Sequence, residues 1–204
     1  MSAVPPSALA ARVPAPGASA PSVPLVVELE GALLKTDLLI ESLFVLAKRS
    51  PLRLLLVPVW LARGRPCLER QLAALAMPDV ATLPYREDLL AYLEAEKRRG
   101  TRLVLVSAAE RAPAEAVAEH LGLFDLVLAS DDAGPPAGER QRDRLVAEFG
   151  AQGFDYVGSG QSARELGSAA RQAVVVASPD RAAARIAGKT PVARTFPEHR
   201  PGPG

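Results

Sequence analysis

Five short aliphatic runs alternate with helical patterns along this chain, and that alternation restricts it to one class of fold. The runs are Leu25–Leu29, Arg102–Ser107, Asp125–Ala129, Phe154–Val157 and Ala173–Ala177. They are continuously apolar rather than alternating, as strands buried on both faces of a parallel sheet are. Helical patterns fill the intervals: Tyr85–Arg99, Pro113–Leu121, Glu139–Phe149, Ala163–Arg171 and Asp180–Ala187. Gly100, Gly122 and Gly150 stand where helix C-caps are expected. The fold class is therefore α/β with a parallel sheet. One interval is different. Leu38–Lys48, Leu52–Leu61 and Pro66–Met77 are leucine-rich helical stretches punctuated by Pro51 and Pro58. They form an insertion of about 38–80 without strand periodicity. A length of 204 residues suits one domain carrying such an insertion.

The ends read differently from the middle. Residues 1–24 are rich in Ala, Pro and Ser and cannot bury enough surface to offset ordering, so a disordered tail is expected there. Residues 197–204 read as a second loose end, leaving 25–196 as the domain. The net charge is +1, which gives no case for a nucleic-acid partner. The single cysteine, Cys67, excludes an internal disulfide framework and suits a reducing, cytoplasmic compartment. Its simplest reading is an ordinary thiol near a helix start. His120 and His199 are too isolated to suggest a metal cluster. The N-terminal stretch lacks the apolar core of a secretory signal, and no segment offers the roughly 18 apolar residues of a spanning helix.

The chemistry-bearing segment is Leu25-Val-Val-Glu-Leu-Glu-Gly-Ala-Leu-Leu-Lys-Thr-Asp37. An apolar strand ends in two carboxylates one residue apart, Glu28 and Glu30, followed by Gly31. This layout resembles the nucleophile strand of haloacid-dehalogenase (HAD) superfamily phosphohydrolases, whose pattern is Asp-x-Asp-Gly-Thr-Leu. From Leu25 to about Phe196 the chain further resembles the HAD-like domain that precedes the membrane domain in some UbiA-type polyprenyl transferases. Four phrases carry that resemblance: Gly31 to Leu43, Asp79-Val-Ala-Thr-Leu-Pro-Tyr85, His120 to Asp131, and Gly153-Phe-Asp-Tyr-Val-Gly158. It implies a HAD-like Rossmannoid α/β/α fold with a five-stranded parallel sheet in the order 5-4-1-2-3. It also implies a small helical cap after strand one, packed over the C-terminal sheet edge.

The resemblance also assigns roles. The first aspartate of the pattern attacks phosphorus and the second is the general acid/base; Glu28 and Glu30 stand there. A Ser or Thr ending strand two holds the transferring phosphoryl group, and Ser107 fits. A charge-offsetting lysine is expected near Pro135–Gly138, where Ala137 stands. Arg140 is the nearest cation, and a guanidinium fork does not replace an ammonium without rebuilding a site. A Mg²⁺-binding acid is expected just after strand four, where Ala163 stands with Glu165 nearby. With that ligand replaced, no metal site is assigned, and Mg²⁺ enters only if the chain is an active phosphatase.

Two other readings stay open. Gly158-Ser-Gly-Gln-Ser-Ala163 matches G-x-G-x-x-A, with Asp180 about twenty residues on. That fingerprint belongs on the first strand of its unit, not the fourth, so a turn holding a phosphate through Gly158, Ser159 and Gly160 is the weaker alternative. Lys48, Arg49, Arg53, Arg63 and Arg65 flank Leu54–Leu61, a pattern found in membrane-surface segments. The simpler reading is a cap helix whose leucines pack on neighbours. Three functions follow: a catalytically impaired HAD-like domain binding a phosphate-containing ligand or a membrane prenyltransferase, an active Mg²⁺-dependent phosphatase, and a membrane-surface accessory.

Overall fold

The first strand, β1 (Leu25–Glu28), is central because it is apolar on both faces, and Leu25, Val26 and Val27 are all buried. The computed structural model describes residues 23–130, 138–160, 162–176 and 190–197. After β1 comes the insertion. Helix α1 (Leu38–Arg49) starts at an Asp37 N-cap, whose carboxylate accepts a 2.8 Å bond from the Leu39 N–H. A 3₁₀ helix (Pro51–Leu56), α2 (Val57–Ala62) and α3 (Arg65–Leu75) complete it. The chain returns through α4 (Glu87–Arg98), β2 (Leu103–Glu110), α5 (Arg111–Leu121), β3 (Leu126–Ser130), α6 (Gly138–Phe149) and β4 (Asp155–Ser159). It ends with α7 (Ser162–Glu165), a 3₁₀ turn (Gly167–Ala169), β5 (Ala173–Val176) and β6 (Val192–Phe196).

The strands form one parallel sheet ordered β3-β2-β1-β4-β5-β6. The expected order of the first five holds, but the sheet has six strands, not five. β6 was not legible because Val-Ala-Arg-Thr-Phe is a short, half-polar edge strand with only Phe196 buried. Odd and even residues of β1 face opposite cores. Leu25 and Val27 pack with Leu89, Leu93, Ala114 and Val117 of α4 and α5. Val26 packs with Leu145, Phe154, Tyr156 and Leu166 on the α6 side. Helices thus cover both faces, giving three layers.

Two helices differ from expectation. The pattern at Ala163–Arg171 predicts one helix, whereas one α-turn and a 3₁₀ turn form, broken at Leu166. Leu52–Leu61 splits into 3₁₀ and α pieces, because Pro58 lacks the N–H needed to continue the ladder from Leu54. The expected Asp180–Ala187 helix, His199 and Ala137 lie outside the described residues. The cap has its own core of Leu46, Trp60, Leu68, Leu72 and Ala76. It docks through a cleft in which Leu38, Ser42, Glu69 and Leu72 face Glu110 and Pro113 at the C-terminal end of β2.

Candidate functional site

The site forms at the C-terminal ends of β1, β2 and β4, beside the point where the chain order reverses direction in the sheet. Past β1 the chain makes a tight loop. Leu33 N–H donates to the Glu28 carbonyl at 3.1 Å and Leu34 N–H to the Leu29 carbonyl at 2.8 Å. Gly31 takes φ +79° there, and a Cβ at this position would sit 2.5 Å from Ser159 Oγ. Glycine therefore serves both the left-handed backbone and the close approach of β4.

Glu28 and Glu30 are separated by one residue, yet their carboxyls turn to opposite neighbours of β1. Glu28 Oε2 accepts a 3.0 Å bond from the Ser159 N–H of β4. Glu30 Oε1 accepts a 2.7 Å bond from Ser107 Oγ of β2. Burial pushes the Glu28 carboxyl up from 4.5 to about 7, against hydrogen bonding by Ser162 and Ser159 and with repulsion from Glu30 adding to the rise. Burial does the same for Glu30, again to about 7, against hydrogen bonding by Ser107 and with Asp37 repelling it. Both residues retain part of their surface in solvent, so it is the carboxyl ends that are buried.

The structure brings Glu28, Glu30, Ser107, Gly158 and Ser159 to one edge. Ser107 is fully buried. Gly158 lies against the Tyr156 ring, which a side chain there would strike. Gly160 turns the chain at φ +57°. Ser162 Oγ donates to the Ser159 carbonyl at 2.7 Å and closes the turn. The helix that follows, α7, is one turn long, so the long helix expected to focus a dipole on this turn does not form.

Tyr156 and Arg65 belong to the surroundings of the site; neither was assigned a role there from sequence, where Arg65 stood only among the cations flanking Leu54–Leu61. The Tyr156 hydroxyl is buried beside Glu28 without an aligned hydrogen bond, and burial with that neighbour pushes its ionisation well up. A lone aromatic in a buried strand reads as core, so no signal marked it. Arg65 opens α3, bonds Glu69 at 2.6 Å and lies 3.8 Å from Asp37. Asp37 thus caps α1 and faces the cap's cation; the Thr-Asp pair before an apolar run is the N-cap signal that could have placed it.

A Mg²⁺ ion would need anionic oxygens converging in octahedral geometry. Here the two carboxyls diverge towards different strands, and the residue at 163 is an alanine without a ligand atom. No group of three acids, cysteines or histidines suited to a metal occurs among the described residues. The residues present do not fit the ion.

A model of haloacid dehalogenase-like hydrolases matches residues 28–164, a span running from Glu28 past the Gly158 turn. The chain belongs to the haloacid dehalogenase-like hydrolase family. It is 34% identical over 155 residues to the uncharacterized protein y4nM of Sinorhizobium fredii (strain NBRC 101917 / NGR234), covering 76% of this chain and 30% of that protein. The chain therefore spans about a third of the length of the curated relative it matches. Solved HAD-like folds resemble it over most of its length. Phosphoserine phosphatase in its apo form superposes with a TM-score of 0.56 at 13% identity, over 88% of this chain and 94% of that one. The haloacid dehalogenase-like protein SP0104 from Streptococcus pneumoniae gives 0.58 at 11% identity, over 87% and 95%. At these identities the likeness is one of HAD fold, not of substrate.

Proposed function

We propose that this HAD-family domain is impaired as a phosphohydrolase and serves a binding or accessory role, with a phosphate-containing ligand or a membrane prenyltransferase as partner. One observation carries the reading. Two donors at the sheet edge suited to a phosphoryl group, Ser107 Oγ and the Ser159 N–H, are bonded to Glu30 and Glu28. The domain's own carboxyls stand in for the anion. The two positions where the family pattern calls for a lysine and a further acid, Ala137 and Ala163, carry no charge. Phosphoryl transfer needs positioning and charge neutralisation together, and a displacement of about 1 Å in a reacting group can cost roughly 100-fold. A longer relative, of which the match covers 30%, supports a role as one part of a larger assembly.

One observation favours the second reading, an active phosphatase: a carboxyl at about 7, as at Glu30, is well pitched for proton transfer. Hydrolysis of an aryl phosphate with Mg²⁺ separates the two. The wild type and the Glu28→Asp/Glu30→Asp variant are expected to stay at background. Adding Ala137→Lys and Ala163→Asp is expected to be required for turnover. Robust wild-type turnover that Glu28→Gln abolishes would establish the phosphatase instead.

A further inference from the structure

Of the large apolar side chains that are exposed among the described residues, all but Val192 lie on the cap. The leucines of the cap divide sharply. Leu54 and Trp60 turn into the cap core, whereas Leu52 is 81% exposed and Leu55 75%. This departs from the expectation that those leucines pack on neighbours. The division follows from the helix type. In the 3₁₀ segment residues three apart eclipse one another, so Leu52 and Leu55 share one outward row, and Leu56 and Val59 continue it through α2. On α1, Ile40 and Phe44 lie four apart and so occupy one row, with Phe44 61% exposed.

The charge along the segment that carries Leu52 to Val59 has one sign. Lys48, Arg49, Arg53 and Arg63 are exposed within and beside it in the chain. No acid occurs in the sequence between Glu41 and Glu69. None of these four cations forms an ion pair with an acid among the described residues. An apolar row bordered by unpaired cations complements a surface with a hydrocarbon interior and an anionic rim. A second copy of this face would set those cations against one another.

We propose that the exposed face of the cap docks on an anionic lipid bilayer, seating Leu52 and Leu55 below the headgroups and Lys48 and Arg53 among them. The side chains insert shallowly, as in other interfacial segments. No helix among the described residues is long and apolar enough to cross a membrane, so this is surface attachment. It does not depend on whether Glu28 and Glu30 retain chemistry.

Co-sedimentation of the full chain with vesicles tests the inference, using phosphatidylcholine alone or mixed with phosphatidylglycerol. The wild type is expected to partition preferentially into the mixed vesicles, with strong salt dependence. Each cation engaged should contribute about fivefold, so Lys48→Gln with Arg53→Gln should lower that partitioning roughly 25-fold. Leu52→Gln with Leu55→Gln should abolish it. All four side chains are exposed, and circular dichroism checks that each variant folds. Equal partitioning into both vesicle types, or none into the anionic ones, overturns the proposal. So does a dimer in solution that the leucine changes dissociate while vesicles stay unbound, which would assign the face to a second copy of the chain.

Discussion

Each glutamate at the end of β1 has one more methylene than the aspartate of the family pattern, and the extra reach has a thermodynamic consequence. It carries Glu28 to the Ser159 N–H and Glu30 to Ser107 Oγ, inside the protein. Charging these groups there is unfavourable. Both are raised from 4.5 to about 7. The folded state thus binds protons that the unfolded chain has lost, and stability falls as pH rises through that window. The stabilising contribution is complete below 4.5 and gone above about 7; each group is worth at most on the order of 3 kcal/mol, less for the part that water reaches. Asp125 acts oppositely. Burial raises it, but the Lys97 contact and the Leu103 N–H outweigh burial and lower it, so its contribution fades only as pH falls through the ordinary aspartate range. Thermal melts between pH 5 and 8 should show the melting temperature falling with pH. Glu28→Gln with Glu30→Gln should flatten that slope and raise stability at pH 8. A wild-type slope that survives both substitutions would place the titration elsewhere. The positions of Glu28 and Glu30 were legible because a strand end and a following glycine mark them, and that of Ser107 because the apolar run ends there, although β2 itself continues to Glu110. The direction of their carboxyls was not, because it depends on donors from β2 and β4, far away in sequence.

Strands and helices show the same division between local and distant causes. The five apolar runs were legible since burial on both faces leaves a continuous signal, and strand order followed from the family resemblance. β6 was hidden because its identity comes from its partners. Val174, Val175 and Val176 pair with Arg194, Thr195 and Phe196. Phe196 closes the core beside Tyr92 at 5.6 Å, and the Arg194 guanidinium lies 5.3 Å from the Tyr92 ring and 5.2 Å from that of Phe196. Exposed backbone at a sheet edge adds little without this anchor. Phe196→Ala should therefore cost about 3 kcal/mol, the lower end for losing a buried phenylalanine. Denaturant unfolding would measure it. Arg194→Ala should cost well under half as much, as an exposed cation–π contact is worth roughly 0.5–1 kcal/mol. Equal losses would mean that the arginine, not the ring, holds the strand. The split at Pro58 belongs to this scale too. A missing N–H is plain in sequence, but the leucine row that the resulting 3₁₀ geometry turns outward is not.

The body and the cap carry cores of unequal size. The body buries two clusters against the sheet, whereas the cap buries Leu46, Trp60, Leu68, Leu72 and Ala76 among three short helices and a 3₁₀ turn. A core this small contributes little burial energy relative to the ordering it requires. The Arg65, Asp37 and Glu69 cluster ties α3 to the start of α1 within the cap, and the cap meets the body at the cleft against Glu110 and Pro113. Elements with few buried apolar contacts open at lower free energy than the sheet they cover. The chain's single tryptophan, Trp60, lies in that small core, so its fluorescence reports the cap, while far-ultraviolet circular dichroism is weighted to the helices of the body. In a urea titration the fluorescence midpoint should come first. Leu72→Ala, which empties a fully buried position in the cap, should move the fluorescence midpoint down by more than the dichroism midpoint. Val104→Ala in β2 should move both together, because the cap has nothing to dock on once the sheet is lost. Coincident midpoints in the wild type and in Leu72→Ala would instead make cap and body one cooperative unit. The apolar outer face of the cap would then be supported by the stability of the entire domain.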